Sequence, residues 1–216
     1  MFMSHGGILF NSMGEAREAT NVSACGDLPK DYKKILGVAG YLIFRSRSLH
    51  ATRLQKLYYL AELRAIEKLG RRLTNAAYCN WDFGPFSADL ARAVDGIGPK
   101  AFAMSRAILP RGLAKIYRPI TREIYPDLSK EDRGILDEIL AQWGSKSTDA
   151  IIKAAKTSEP FVWSKHGDPI DFDGYLTWCR KLYHDPVTKQ RFEENSRAAG
   201  KAYKDVDELV KALDAR

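Results

Sequence analysis

Cysteine is scarce in this chain: Cys25, Cys79 and Cys179 are the three present, odd in number and far apart. A disulfide framework is therefore not expected, and a reducing, cytoplasmic setting fits. No apolar run approaches the roughly 18 residues of a membrane span, so no membrane association is expected. Histidine is equally sparse. His5, His50, His166 and His184 are scattered, and the one close pair with cysteine, Cys179 and His184, supplies too few ligands to close a zinc site. There is no G-x-x-x-x-G-K-[ST] and no G-x-G-x-x-G opening a helix after a strand, so no phosphate cradle is written here. The acidic pair Glu193-Glu194 lies in a polar stretch and reads as a solvated face. With no nucleophile and base, no metal cluster and no cradle, an enzyme is not expected, nor a cofactor or a metal.

What is present is ordinary for a globular protein: 45% hydrophobic and 28% charged residues in a chain of 216. That length suits one domain with appendages. Residues 1–27 are Gly-, Ser- and Asn-rich and read as a flexible leader. Val22-Ser23-Ala24-Cys25 imitates a lipoprotein cleavage box, but the polar segment before it lacks the apolar stretch that export needs. Met13 stands as an alternative start. The domain is expected over 28–184, followed by a polar helical extension over 185–216. In that extension Lys189–Lys204 is a weak helix, and Asp207–Leu213 places Leu209, Val210 and Leu213 on one face. The extension can pack on its own domain or dock into a partner's groove.

Charge is uneven. Residues 1–130 hold 20 Lys/Arg against 11 Asp/Glu, whereas 131–216 hold 14 against 16. A basic half suggests an acidic partner or nucleic acid, and a solvated surface is the plainer alternative. No block of five like charges occurs, which weakens a claim of strong polyanion binding.

The stretch from Leu49 to Leu90 carries the most information. Over Thr52–Leu69, Leu54, Leu57, Tyr58, Ala61 and Ala65 share one helical face, while Tyr59, Leu60, Leu63 and Ile66 occupy much of the other. A helix apolar on two sides is expected at the centre of a core, stopped here by Gly70. Arg72–Trp81 has no helical stripe and suits a short strand; Gly84-Pro85 is then expected to open a helix over Phe86–Val94. Tyr58, Tyr59, Trp81 and Phe83, interleaved with Arg53, Lys56 and Arg64, have the composition of a base-stacking surface. Their spacing favours the core. Gln55 and Lys56 are polar in an apolar helix; either Lys56 runs its stem along the core and keeps its ammonium wet, or both border a groove for a partner.

These residues resemble the Panacea, or SocA-type, antitoxin domain. The resemblance rests on Leu54-Gln55-Lys56-Leu57-Tyr58-Tyr59, on Gly70, and on Trp81-Asp82-Phe83-Gly84-Pro85-Phe86. It continues through Leu128–Asp132 and Trp143-Gly144, and covers about Pro29 to Tyr183. At Ser158-Glu159-Pro160-Phe161 the chain departs from the pattern: Phe161 stands where the family has tryptophan, and no histidine precedes the proline. The resemblance implies a bacterial or phage antitoxin that neutralises a cognate toxin protein by direct binding, without cofactor. A protease, as recipient of the toxin, and operator DNA are further candidate partners, and a nucleic-acid-binding regulator is the alternative function. Leu54, Gln55, Lys56, Tyr58, Tyr59, Trp81, Gly84 and Pro85 are the family-motif and candidate partner-binding residues.

Elsewhere the signals are local. Tyr32, Ile35, Leu36, Ala39, Leu42 and Ile43 mark an amphipathic helix over Asp31–Arg45, with a loop after it. Ser48 or Thr52 is expected to cap the next helix in place of His50. Leu113–Ile120 alternates like a strand, with Pro119 confining it to an edge or an interruption, and Arg72–Trp81 is its guessed partner. Ser129 with Asp132 predicts a capped helix stopped by Gly144. Ser147 caps a helix burying Ile151, Ile152 and Ala155, and Asp173 is expected to cap one over Gly174–Tyr183. The expected fold is a compact, mainly α, multi-helix domain with a small β-hairpin or two- to three-stranded sheet.

Overall fold

The computed structural model describes residues 32–97, 102–109, 112–120 and 128–184. The expectations for 1–27 and 185–216 lie outside these residues. In chain order, α1 (Tyr32–Ser46) leads through β1 (Leu49–His50) into α2 (Ala51–Leu69). A short helix α3 (Ala88–Arg92) runs on as a π-helical turn (Ala93–Ile97). The strands β2 (Phe102–Leu109) and β3 (Gly112–Pro119) follow, then α4 (Lys130–Trp143), α5 (Thr148–Lys156), α6 (Glu159–Trp163) and α7 (Phe172–His184). The fold is mainly helical with one small antiparallel sheet, as the patterning predicts.

The rod at the centre is α2. Both of its apolar sides are buried, from Leu54 through Leu57, Tyr58, Tyr59 and Ala61 to Ile66. Around it pack α1, α4, α5, α7 and the sheet. Gly70 ends it at φ 64°, where its amide donates to Ile66 O; that left-handed geometry is the reason for glycine at this point. At its start His50, rather than Ser48 or Thr52, is the cap: its Nδ1 accepts from the Arg53 amide at 3.4 Å. His50 can do so because β1 holds its backbone extended, paired with Ile116.

Arg53 then ties α2 to the end of α4. Its guanidinium donates to the carbonyls of Trp143 (3.0 Å), Gly144 (2.7 Å) and Lys146 (2.7 Å). Those carbonyls belong to the end of α4 and the turn after it, and a planar fork of donors suits them. At its other end α4 has the predicted capping box between Ser129 and Asp132. Ser147 caps α5 as expected. For α7 the cap is Asp171, not Asp173: the helix starts two residues earlier than its pattern suggests, and the Gly174 amide donates to Asp171 Oδ1.

Three local expectations fail, each because the backbone finds partners the sequence does not display. Arg72–Trp81 is an extended loop, not a strand. Its amides go to side chains: Leu73 and Thr74 donate to Glu62, and Ala77 donates to Asp89. Farther along, Cys79 forms isolated bridges with Phe86 and Pro169. Gly84-Pro85 likewise opens no helix. Gly84 closes a turn on Trp81 O at φ 88°, Phe86 is spent in the bridge to Cys79, and the helix begins only after Ser87, whose hydroxyl accepts from Leu90 N.

Finally, β3 does not pair with Arg72–Trp81. The sheet order is β1-β3-β2, so β3 is central and Pro119 marks its end rather than an edge. The strand β2 has no counterpart among the expectations, since FAMSRAIL alternates too poorly to announce one.

Candidate partner-binding groove

The first half of α2, the turn at Trp81–Gly84, the α3 region and the hairpin enclose a groove of about 230 Å³. Leu54, Gln55, Lys56, Trp81 and Gly84 of the motif line it. Tyr58 and Tyr59 do not. They are fully buried and serve the core.

The two polar residues of the motif grip the loop opposite. Gln55 Nε2 donates to Ser87 O and its Oε1 accepts from Ser87 N, both at 2.9 Å. One amide side chain thereby satisfies both backbone groups of one residue. Lys56 is 2% exposed and its Nζ donates to Pro85 O at 2.7 Å. The ammonium of Lys56 is thus buried rather than wet, and Lys56 with Gln55 lines the groove. Gly84 has to be glycine here on two counts. Its φ is positive, and a Cβ would come within 3.0 Å of Lys156 Cγ and 3.4 Å of Lys56 Cε. The motif spacing thus encodes a clasp: two polar side chains on α2 hold a turn that lies close against them.

Around the turn, the Trp81 ring stacks on His166 with centroids 5.2 Å apart, and His166 Nε2 meets Asp82 Oδ1 at 2.9 Å. Asn80 reaches the carbonyl of Ser164 at 2.9 Å. Phe83 projects outward, about half exposed. The far wall is the hairpin, where Lys115 Nζ and Tyr117 Oη both donate to Asp95 at 2.8 Å. Burial and the neighbouring Asp95 charge hold the Tyr117 phenol well above its ordinary range.

The tyrosines explain another part of the motif. Tyr58 Oη donates to Thr74 Oγ1, which in turn donates to Glu62. Tyr59 Oη shares a hydrogen bond of 2.8 Å with Ser158 Oγ and packs its ring against Tyr78 and Phe172. The central helix is joined in this way to Ser158–Phe161, where Pro160 and Phe161 are buried. Phe161 therefore fills a core position with the smaller aromatic ring.

Sequence reasoning overlooked the hairpin wall, Glu62 and Asp89. A hint was available for Glu62, a carboxylate amid an apolar stripe. None existed for β2, whose role follows from its position in space.

The groove has an exposed aromatic rim, and its motif polar side chains, Gln55 and Lys56, are bonded to backbone groups of the opposite loop. The family model described as "Antitoxin SocA-like, Panacea domain" matches residues 54–164, from the first residue of the LQK motif to the loop after α6. No curated protein and no solved structure matches the chain. With the match spanning just over half of its length and centred on the clasp and the central helix, this chain belongs to the SocA-like antitoxin family with the Panacea domain.

Proposed function

We propose that this protein neutralises a cognate toxin by direct, stoichiometric protein–protein binding, without catalysis and without a cofactor. Family membership carries the reading. Two features support it. Gln55 and Lys56 are engaged with backbone groups and hold a loop. The neighbouring Phe83 and Leu113 are both about half exposed, which places apolar area at the groove rim. Binding of this kind would equally serve delivery of the toxin to a protease.

The test is co-expression. Growth arrest caused by the product of the gene beside this one should be relieved by the intact chain, and the two proteins should co-purify. A neighbour that is harmless, or lethal regardless of this chain, overturns the reading. Association should slow mildly as salt rises, because the N-terminal 130 residues are basic.

One observation favours a second reading, a nucleic-acid-binding regulator: from Gly96 to Arg122 there are six Lys/Arg and no Asp/Glu. Retardation of the chain's own promoter fragment, weakening steeply with salt, would support it.

A further inference from the structure

The hairpin has a face that its own fold does not use. Register places Phe102, Met104, Arg106 and Ile108 of β2 opposite Pro119, Tyr117, Lys115 and Leu113 of β3, all on one side of the sheet. At the base of this face, Phe102 and Tyr117 are buried in the core. Toward the tip it leaves the body of the protein. Met104 and Leu113 are each 51% exposed and Ile108 is 87% exposed. Ile108 and Leu113 are cross-strand partners, so an apolar pair stands in water where it stabilises little. Leu113 and Lys115 also line the groove, which makes groove and hairpin face continuous.

Two further observations say what the face fits. The first is the sheet order: β3 lies between β1 and β2, so among the described residues nothing pairs with the outer edge of β2. Such an edge offers a row of backbone donors and acceptors. The second is charge. No acidic residue occurs between Gly96 and Arg122. Lys115 is matched by Asp95, but Arg106 has no carboxylate partner among the described residues, and Arg118 on the opposite face donates to the Ser105 hydroxyl.

We propose that the outer edge of β2 accepts an extended, acidic segment of the partner protein as an added strand. Backbone pairing would supply affinity. Alternate apolar side chains would cover Met104 and Ile108, while the carboxylates between them, on the opposite face, would meet Arg118. A nucleic acid would use the arginines but leave the exposed isoleucine and methionine in water, so a polypeptide is the better match. That the segment belongs to a toxin rests on the function proposed above; that the edge takes an acidic strand does not.

The test uses the full chain and a fluorescein-labelled peptide of alternating Glu and Val, read by anisotropy at low salt. The wild-type chain should bind it. Ile108→Asp and Arg118→Glu should each weaken binding about tenfold, equivalent to roughly 1.4 kcal/mol. Val162→Ala, at an exposed position on α6, should leave it unchanged. Thermal unfolding should be the same for all four proteins, because the altered side chains are exposed. No binding by wild type, or equal binding by the hairpin variants, overturns the proposal. So does a DNA duplex that binds in place of the peptide and is lost in the same variants. Peptide binding without rescue of growth would count against the antitoxin reading alone; rescue without peptide binding would count against the edge alone.

Discussion

At Lys56 the whole side chain is buried, and its ammonium meets a proline carbonyl, an acceptor that no adjacent amide claims in the turn. Lys56→Met should leave Pro85 O without this donor and cost about 1–3 kcal/mol, the usual penalty for an unsatisfied buried polar group. Gly84→Ala should also destabilise, through its positive φ and through contact with the Lys56 and Lys156 stems. Because the two sites touch, their effects should not add; a double-mutant cycle in urea would show coupling, and strict additivity would mean that the clasp is not one unit. The sequence shows Gln55 and Lys56 as anomalies in an apolar helix. It does not show their partners, because Ser87 and Pro85 lie some thirty residues downstream and come near only when the turn folds back.

Among the elements, most helices and the strand over Leu113–Ile120 were readable; that strand's partners were not. Stripes at 3.6-residue period and caps such as Ser129, Ser147 and Gly70 are local signals, written within a few residues of where they act. Pairing of β3 with β1 joins Leu49 to Tyr117, and no local signal spans that distance. The misread strand at Arg72–Trp81 has the same cause: strand-like composition was visible, but Glu62 and Asp89, which take its amides, are reached only through the fold. A test at this scale concerns the join between α2 and α4. Arg53→Ala should remove three hydrogen bonds to the α4 end and its following turn, lowering stability by about 1–3 kcal/mol. Arg53→Lys should recover part of the loss, since an ammonium lacks the fork that spans three carbonyls. Chemical denaturation followed by circular dichroism measures both.

Across the whole molecule, tertiary structure redistributes the charge asymmetry. Lys34, Arg45, Arg64, Lys68 and Arg71 of the basic half pair with Asp132, Asp137 and Glu138 of α4. Much of the excess that suggested an external partner is therefore answered internally; among the described residues of the hairpin, Lys115 pairs with Asp95 while Arg106 and Arg118 have no carboxylate partner. Stability should also depend on pH through a buried carboxyl and a half-buried imidazole, with opposite signs. Burial, outweighing Arg72 and the amide donors, raises the Glu62 carboxyl above its ordinary 4.5. Its contribution is complete below 4.5 and declines as pH rises through the folded value. Burial lowers the His50 imidazole below 6.5, so its contribution is complete above 6.5 and falls as acid protonates the cap. Urea midpoints measured from pH 4 to 8 should lose the high-pH decline in Glu62→Gln and the low-pH decline in His50→Asn. A slope unchanged in either variant would remove that group from the account.

Sequence alone determined where most helices begin and end, that α2 is the central rod, and which family the LQK and Gly-Pro elements resemble, because periodicity, caps and breakers act over a few neighbouring residues. Tertiary structure alone decided that Lys56 is buried rather than wet, that the loop after Gly70 hangs on carboxylates, and that β2 lies at the edge of the described sheet. Those outcomes depend on chain segments tens of residues apart being brought together, and no local pattern encodes which of them will meet.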